Sequence, residues 1–370
     1  MGVKKKIGML PGDGIGPEVV AEARKVLDAV AERFGHTFEY AYGDVGAVAI
    51  DNSGDPLPDH TLKICEESDA FLFGAIGHPK YDNDPSAKVR PEQGLLKLRK
   101  SLGLFANIRP VTAYDSLIHM SPLKTEKVLG VDLVVYRELT GGIYFGEKGR
   151  TKDGAYDHCT YENFEVDRIA HLAFQAAQHR SKKVTLVDKA NVLETSRLWR
   201  ERVTLIANEY PEIELDCMFV DNAAMQMIQN PKHFDVILTE NMFGDIISDE
   251  ASVIGGSLGL LPSASVGDKT AMFEPIHGSY PQAAGKNIAN PLATILSAAM
   301  MLDHLGLVNE AIEVRNAVNS SLKIGMVTED LSKKEGYGTD RVGDFIANCI
   351  ADGEESCAQD NIKLGLSTII

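Results

Sequence analysis

Short strand-like segments alternate with helical patterns along most of this chain, and the alternation limits the possible folds more than any other feature of the sequence. Residues 5–10 form a β-rich run, and apolar side chains then recur at helical spacing from Val19 to Phe34, with Gly35 as a candidate C-cap. Six further strand candidates are 70–73, 105–108, 132–136, 183–187, 214–220 and 235–239. This pattern is typical of α/β proteins, so we predict an α/β fold.

The length of 370 residues predicts two domains, at roughly 150 residues per domain. No linker rich in proline or serine divides the chain into halves, so we expect one domain to be inserted within the other. Residues 141–164 are rich in glycine, tyrosine, charged and turn residues, which suits a hairpin or arm better than a helix. Asn290 and Pro291 predict the start of a helix that runs to His304.

The charge and cysteine content disfavour several classes of protein. There are 53 Asp and Glu against 37 Lys and Arg, a net charge of −16, which disfavours nucleic acid and anionic membranes as partners. The 5 cysteines are scattered and include no C-x-x-C pair, which argues against a disulfide framework or a zinc site and favours a reducing compartment. The longest apolar run, 292–302, is about half as long as a membrane span. We therefore expect a soluble, cytoplasmic protein.

A glycine-rich loop, PGDGIGPE at 11–18, joins the first predicted strand to the first helix. Its spacing is G-x-G-x-G, and Pro17 stands where the third glycine of the dinucleotide fingerprint belongs. Pro17 also suits the first position of a helix. By itself the loop therefore indicates a tight turn, with another kind of nucleotide-binding loop as the open alternative.

Three arginines in this acidic chain are candidates for binding a substrate carboxylate. Arg109 follows the strand 105–108, and Arg137 ends the strand 132–136. One face of a predicted helix carries two leucines flanked by opposite charges, at Glu92, Leu95, Leu96 and Arg99. Guanidinium groups bind carboxylates bidentately, so a site with all three arginines and the leucines suits a dicarboxylate with an aliphatic tail. Each residue taken singly is more typical of a solvated surface.

Polar residues also follow three predicted strands, where open α/β sheets bind their ligands. Lys189 comes after 183–187, and Asp221 comes after 214–220. Asp245 and Asp249 are four residues apart, on one face of a predicted helix that follows 235–239. Two like charges at this spacing repel each other unless a cation compensates, and Mg²⁺ or Mn²⁺ needs only a few carboxylates plus water and substrate oxygens. Spacing alone leaves two exposed acids as the alternative.

Side by side, these segments resemble the β-decarboxylating dehydrogenases of the isocitrate/isopropylmalate dehydrogenase family over essentially the whole chain. The stretches that carry the resemblance are GDGIGPE (12–18), EQGLLKLRKSLGLFANIRP (92–110), RELTGGIYFG (137–146), DKANVL (188–193), VDNAAMQ (220–226), NMFGDIISDEAS (241–252) and MFEPIHGSYPQAAGKNIANP (272–291). The resemblance implies a two-domain α/β fold with a mixed central sheet, which is not the standard Rossmann fold and so fits the spacing of the glycine loop.

The resemblance also implies a domain layout and an assembly. Residues 1–104 and 259–370 are expected to form a first domain that carries most of the NAD site, and 105–258 an inserted domain with the dimer interface. A homodimer with shared active sites is expected, in which about 141–164 form an intersubunit arm, and Lys189 and Asp221 reach into the pocket of the second subunit.

The expected reaction is NAD-dependent oxidative decarboxylation of (2R,3S)-3-isopropylmalate to 4-methyl-2-oxopentanoate and CO₂, in leucine biosynthesis. The arginines expected to hold the substrate carboxylates are Arg99, Arg109 and Arg137. The isopropyl group is expected to contact Leu95 and Leu96, and Glu92 to lie beside substrate and nicotinamide. The ligands expected for Mg²⁺ or Mn²⁺ are Asp245, Asp249 and Asp221 from the other subunit. Lys189 is expected to act as the base for the hydroxyl proton, and Tyr144 as the acid that protonates carbon after decarboxylation.

The cofactor loop, 277–290, departs from the family pattern at one position. Family members that use NAD carry an aspartate where this chain has Gln282, followed by Ala283, and NADP-using relatives carry lysine and tyrosine at this pair. Gln282 accepts a ribose hydroxyl without adding a charge that repels a phosphate, so we expect NAD with weaker discrimination against NADP. His277 and Asn290 match the adenine-contacting positions, and Gly278 lies in the same loop.

Other functions remain as alternatives at this stage. The rivals with the same chemistry act on D-malate, tartrate, homoisocitrate or isocitrate, and the two leucines argue against a third carboxylate because it would be buried without a partner. A metal-dependent phosphatase or lyase would use the Asp245–Asp249 face and would work without nicotinamide. A non-catalytic nucleotide-binding or scaffold protein would have no measurable activity for Lys189→Met to remove.

Overall fold

The computed structural model describes residues 2–82, 88–332 and 335–353, and their contacts separate two compact units. The first unit holds the described residues up to Leu102 together with those from Ser257 onward, and the second unit holds Gly103–Gly256. The sequence analysis set these boundaries two residues later, after 104 and after 258. The roles that it gave to the two domains remain predictions.

The described residues form the following strands and α-helices in chain order. The first segment contains β1 (Lys4–Gly12), α1 (Gly16–Phe34), β2 (Thr37–Tyr42), α2 (Ala47–Ser53), α3 (Asp59–Glu66), β3 (Ala70–Ala75), α4 (Pro79–Asp82) and α5 (Pro91–Ser101). The second unit contains β4 (Ala106–Thr112), α6 (Thr125–Val128), β5 (Asp132–Glu138), β6 (Lys148–Arg150), β7 (Ala155–Asp157), α7 (Asn163–Gln178), β8 (Lys183–Asp188), α8 (Glu194–Ala207), β9 (Glu214–Phe219), α9 (Val220–Gln229), β10 (Val236–Thr239) and α10 (Asn241–Ser252). The last segment contains β11 (Pro262–Val266), β12 (Ala271–Pro275), α11 (Leu292–His304), α12 (Val308–Ile324) and α13 (Thr339–Asp352).

The first unit contains a mixed sheet in the strand order β2-β1-β3-β12-β11. Neighbouring strands run parallel except β11, which is antiparallel to β12. The apolar run at 292–302 forms α11, in which Leu292–Asp303 are all buried. A helix that is apolar on every face belongs in a protein core, and this helix packs against β11, β12 and α12.

The second unit contains a mixed sheet in the order β4-β5-β10-β8-β9. Here β5, β10, β8 and β9 are parallel, and β4 is antiparallel to β5. Val135, Val187 and Ile237 face α9 and α10 and form one apolar cluster with their buried residues. Because the carboxyl ends of parallel strands meet at one edge of a sheet, the residues that follow β5, β8, β9 and β10 emerge together.

The local predictions agree with these elements in most places. The strand candidates are confirmed in β1, β3, β4, β5, β8, β9 and β10, and Gly35 ends α1 in the left-handed conformation with φ 70°. The segment 141–164 contains the hairpin β6–β7. The prediction for α11 is wrong by one residue, because Pro291 is the N-cap and Leu292 begins the helix. The Oδ1 atom of Asn290 nevertheless accepts the Leu292 N–H at 3.0 Å.

Two further features bear on the expectations about environment. Cys65, Cys159 and Cys217 are free thiols and Cys349 is disulfide-bonded, so the described cysteines form no framework of several disulfides. Within the ranges that the structure describes, no helix is both long and apolar enough to cross a membrane.

Candidate active site

The polar residues at the carboxyl edge of the second unit's sheet form the candidate catalytic site. The register pairs Thr239 with Arg137 on β5 and with Val187 on β8, and it pairs Asp188 with Phe219 on β9. The next residues after these strands therefore leave the sheet at the same level. The candidates brought to this edge are Arg137, Lys189, Asp221 and, on α10, Asp245 and Asp249.

Arg137, Asp245 and Tyr144 form one connected group. The Nη1 atom of Arg137 donates to Asp245 Oδ1, and the Tyr144 hydroxyl donates to Asp245 Oδ2 at 3.0 Å. The Arg137 guanidinium also lies 5.9 Å from the centre of the Tyr144 ring. Burial raises the pKa of Tyr144, and the hydrogen bond to Asp245 adds to the rise. The phenol therefore keeps its proton at neutral pH, as a proton donor requires.

Arg109 on β4 and Asp249 on α10 form a second pair. Arg109 Nη1 donates to Asp249 Oδ1 at 2.9 Å and to Ser248 Oγ at 2.8 Å, while Nε donates to Asn107 Oδ1 at 2.8 Å. Its side chain is 14% exposed, whereas that of Asp249 is 69% exposed. The guanidinium is thus fixed in place, and the carboxylate is open to solvent.

Lys189 and Asp221 form a third pair. Lys189 Nζ lies 2.7 Å from Asp221 Oδ1, with the lysine side chain 26% and the aspartate side chain 65% exposed. The hydrogen bond from Lys189 lowers the pKa of Asp221, so this carboxylate stays ionised through the neutral range. The backbone N–H of Lys189 donates to Ser196 Oγ at 3.1 Å, which anchors the start of the loop after β8.

The metal prediction has partial support from donor chemistry. Asp245 and Asp249 present carboxylate oxygens one helical turn apart, and Mg²⁺ prefers such oxygens. Among the described residues, no three His, Cys, Asp or Glu side chains are grouped so that one chain alone holds an ion. The expectation that Asp221 of a second subunit completes the metal site stays a prediction.

In the first unit, α5 exposes the apolar side chain of Leu96, where a helix with a solvated outer face would carry a polar residue. Leu98 is fully buried and forms the packed side of the helix, whereas Leu96 is 51% exposed and Leu95 is half-buried. Arg99 Nη2 donates to Glu274 Oε1 at 2.6 Å, and its Nε atom is buried with no hydrogen-bond partner. The predicted face thus carries an exposed leucine beside an arginine with an unused donor.

Glu92, on the same helix, is exposed at the side chain and approaches a glycine turn. A Cβ atom at Gly77 would lie only 3.1 Å from Glu92 Oε1. Gly77 itself adopts φ 112°, a conformation that favours glycine at this turn.

The cofactor loop contains a buried nitrogen that lacks a partner. The Nδ1 atom of His277 lies 3.0 Å from the carbonyl oxygen of Gly278, whereas Nε2 is buried without a hydrogen bond. Burial lowers the pKa of His277, so the ring is neutral at pH 7. Gly278 is exposed and has open space where a Cβ would be. A neutral ring with an unused nitrogen fits a polar edge of adenine, so these residues suit the predicted cofactor.

The other three cofactor residues differ in exposure. Gln282 is exposed, Ala283 is fully buried against Ile15 and Val19, and Asn290 is 9% exposed. Of these three residues, only Gln282 presents its side chain at the surface.

Asp330 was not found by sequence reasoning. It accepts a hydrogen bond from Asn290 Nδ2 at 3.0 Å and another from Thr328 Oγ1 at 2.5 Å. It lies 40 residues from Asn290 along the chain, and no local motif marks it.

The glycine loop contacts the cofactor loop directly. Asp13 Oδ2 accepts the Gly77 N–H at 2.9 Å, and the Ile15 N–H donates to the carbonyl oxygen of Ser279 at 2.8 Å. Gly14 adopts φ 60°, and a Cβ on it would lie 2.0 Å from that same oxygen. The loop is therefore more than a tight turn, because its backbone holds residues 277–283 by direct contact.

The fold and these residues define a class of enzyme, and comparison with known proteins agrees. Residues 6–346 match the isocitrate/isopropylmalate dehydrogenase family, so the chain belongs to this family of decarboxylating dehydrogenases. The predicted fold class is thereby confirmed.

Named relatives extend along nearly the whole chain. The 3-isopropylmalate dehydrogenase of Wolinella succinogenes is 57% identical over 355 residues, which are 94% of this chain and 98% of that one. The 3-isopropylmalate dehydrogenase of Bacteroides fragilis is 55% identical over 347 residues, 93% of this chain and 98% of that one.

Solved structures share the fold at lower identity. The crystal structure of isocitrate dehydrogenase from Methylococcus capsulatus has a TM-score of 0.82 at 37% identity and covers 94% of this chain and 99% of its own. The apo β-decarboxylating dehydrogenase of Thermococcus kodakarensis has a TM-score of 0.80 at 36% identity. The match covers 96% of this chain and 99% of the Thermococcus chain.

Proposed function

We propose that this protein catalyses the NAD-dependent oxidative decarboxylation of (2R,3S)-3-isopropylmalate to 4-methyl-2-oxopentanoate and CO₂, as a 3-isopropylmalate dehydrogenase of leucine biosynthesis. The observation that carries the proposal is the hydrogen-bonded group of Arg137, Asp245 and Tyr144. It joins a guanidinium that can bind a carboxylate, a potential metal ligand and a protonated phenol. Relatives that are 55–57% identical are 3-isopropylmalate dehydrogenases, which supports the particular substrate.

The substrate is proposed to bind through charge at one end and apolar contact at the other. Arg99, Arg109 and Arg137 bind its carboxylates, and the partly buried guanidiniums make such contacts strong because water is excluded. Leu95 and the exposed Leu96 contact the isopropyl group. Isocitrate carries a third carboxylate in place of that group, which the leucines leave without a partner. Glu92 lies at the same helix face.

Two side chains move protons in the proposed mechanism. Lys189 accepts the proton of the C2 hydroxyl as the C2 hydrogen leaves as hydride, which oxidises the alcohol to a ketone. The carboxylate on C3 then leaves as CO₂, its bonding electrons form an enolate, and Tyr144 gives its proton to C3. Asp221 Oδ1 lies 2.7 Å from Lys189 Nζ and so orients this nitrogen. When bound, NAD supplies the hydride acceptor and the divalent cation supplies positive charge for the oxygen anions.

The cation is proposed to be Mg²⁺ or Mn²⁺, held by Asp245 and Asp249 with Asp221 from the second subunit. The half-buried carboxylate of Asp245 and the exposed carboxylate of Asp249, one helical turn apart, support this, since hard divalent cations take oxygen ligands. NAD is proposed to contact His277, Gly278, Gln282, the backbone near Ala283, and Asn290, with Glu92 near the nicotinamide. The partnerless Nε2 of His277 supports an adenine contact.

We further propose a cytoplasmic homodimer with shared active sites. Exposed apolar side chains support a second copy of the chain as the partner. They are Met225 and Ile228 on α9, Ile246 on α10, and Val253 directly after α10. They are all more than half exposed, at 52–58%, which is costly for an isolated chain. The hairpin β6–β7 is the proposed intersubunit arm.

The test is a panel of 2-hydroxy diacids assayed for NADH and NADPH formation, each with and without EDTA. We expect 3-isopropylmalate to be oxidised fastest, NAD to be preferred over NADP, and EDTA to remove activity. Faster turnover of isocitrate or D-malate would contradict the substrate, and turnover without nicotinamide would point to a phosphatase or lyase. Light scattering on the same sample measures the dimer, and a monomeric active enzyme would contradict the shared site.

A further inference from the structure

A buried asparagine lies directly behind one of the candidate substrate arginines. Asn241 is the first residue of α10, separated from β10 only by Glu240, and is 0% exposed. None of the roles proposed above uses it. We infer that Asn241 is a positioning residue that fixes the guanidinium of Arg137 and the turn carrying Tyr144, and thereby sets the affinity for the substrate carboxylate. The inference rests on the proposed function.

The oxygen of the Asn241 amide holds one side of the Arg137 guanidinium. Oδ1 accepts hydrogen bonds from Nε at 3.2 Å and from Nη2 at 2.9 Å, while Nη1 on the other side is directed at Asp245. A guanidinium is planar, so two bonds to one acceptor together with a third bond fix its plane. Arg137 therefore has little freedom to reorient toward a substrate.

The nitrogen of the same amide holds the turn that follows β5. Nδ2 donates to the carbonyl oxygen of Gly141 at 3.1 Å, and the next three residues, Gly142–Tyr144, form a 3₁₀ turn. One amide thus connects the arginine to the turn that presents the phenol. These contacts also fix the orientation of the Asn241 amide. A flipped amide would place its NH₂ group against the N–H groups of Arg137 and its oxygen against the Gly141 carbonyl oxygen.

The backbone around Asn241 is anchored independently of its side chain. Its N–H donates to the Tyr161 hydroxyl oxygen at 3.0 Å, and that hydroxyl donates to Glu240 Oε2 at 3.2 Å. The other carboxylate oxygen of Glu240 accepts the Phe243 N–H at 2.7 Å and caps α10. Substitution of the Asn241 side chain therefore leaves the helix start supported.

The neutrality of the amide matters for a site that binds a dianion. A carboxylate at this position would hold the same guanidinium nitrogens but would also cancel part of their charge. Arg109 is held in the same way, since its Nε donates to the Oδ1 atom of Asn107, which is 1% exposed. Arg109 and Arg137, the two candidate substrate arginines of the second unit, are thus each oriented by a neutral buried acceptor.

The test combines a charge change with a double-mutant cycle at saturating Mg²⁺. The variants are Asn241→Asp, Asn241→Ala, Arg137→Lys and Arg137→Lys with Asn241→Ala, and KM for 3-isopropylmalate and for NAD is measured separately for each. Calorimetry of 3-isopropylmalate binding supplies a readout without turnover. Ser252→Ala is the matched control, because it removes a buried hydroxyl from the same helix, where Oγ bonds only to the Asp249 carbonyl at 2.6 Å.

We expect Asn241→Asp and Asn241→Ala to raise the KM and Kd for 3-isopropylmalate about tenfold or more, while the KM for NAD stays unchanged. In the Arg137→Lys background, Asn241→Ala should add little further loss, since Asn241 acts through Arg137. Ser252→Ala should alter only the melting temperature.

Different outcomes test the proposed function and the positioning role of Asn241 separately. A wild-type protein that does not oxidise 3-isopropylmalate overturns the proposed function itself. An active wild type with unchanged substrate KM in both Asn241 variants, or with additive losses in the cycle, overturns the positioning role alone. If Asn241→Asp does not fold, the cycle with Asn241→Ala gives the decision.

Discussion

The contact between the glycine loop and the cofactor loop yields a sharp prediction for Gly14→Ala. Gly14 follows β1 with φ 60°, and an added Cβ would lie 2.0 Å from the carbonyl oxygen of Ser279. That oxygen also accepts the Ile15 N–H at 2.8 Å. We expect the methyl group to displace Ser279 and, with it, the loop 277–283, so that NAD binds less tightly.

The size of the effect follows from the geometry. An L-residue in the left-handed region costs about 1–2 kcal/mol. Because a carbon–oxygen contact needs more than about 3 Å, the Ser279 carbonyl has to move by about 1 Å or more, which breaks a hydrogen bond worth about 0.5–1.5 kcal/mol. Together these terms predict a loss of about 2–3 kcal/mol of folding free energy. Each 1.4 kcal/mol of this loss that destabilises the NAD-binding conformation of the cofactor loop raises the Kd for NAD about tenfold.

The matched control is Gly35→Ala at the opposite end of α1. Gly35 adopts φ 70°, and a Cβ there has nothing within 4 Å, so this variant carries the backbone strain without the clash. Steady-state NADH formation gives the KM for NAD, and thermal unfolding gives the stability. We expect a raised KM only for Gly14→Ala and lower stability for both. If both variants have the wild-type KM, or if Gly35→Ala raises it equally, the turn does not position the loop.

Three further predictions concern single side chains. Lys189→Met should abolish NADH formation while the melting temperature stays close to wild type, and residual turnover at a wild-type rate would exclude Lys189 as the base. Gln282→Asp should increase the ratio of kcat/KM for NAD to that for NADP, because a carboxylate repels the 2′-phosphate; an unchanged ratio would remove Gln282 from the ribose site. Burial lowers the pKa of His277 below its ordinary 6.5, so the unfolded chain takes up this proton first and stability falls as the pH drops through 6.5. His277→Gln should therefore flatten the acid side of the melting-temperature profile, and an unaltered slope would contradict this assignment.

The strands and helices were predictable wherever their signal is local. The parallel strands β5, β8 and β10 read as short apolar runs because both of their faces are buried, and α1 shows helical periodicity between a proline and a C-capping glycine. The strands β2, β11 and β12 were not predicted. The burial of β2 is irregular along its length, and β11 carries Pro262, Ser263 and Ser265, so tertiary pairing outweighs their weak local preference.

The same division holds at the candidate site. The sequence put Arg137, Lys189 and Asp221 at strand ends, and parallel pairing brings such ends to one edge by a general rule. It gave no signal for Asn241 as an arginine anchor, since a buried asparagine at a helix start is indistinguishable from an ordinary capping residue. The glycine loop was predicted as a turn, but its contact with Ser279 joins parts of the chain that are distant in sequence.

The sequence by itself therefore determined the α/β class, the family and the chemical groups available for catalysis, because periodicity and motifs are properties of neighbouring residues. Only the tertiary structure decided which group faces which. The Arg137–Asp245 pair spans 108 residues, the Arg137–Asn241 pair 104, and the Tyr144–Asp245 pair 101. Such contacts depend on strand order and register, which arise when the whole core packs, and no local pattern encodes them.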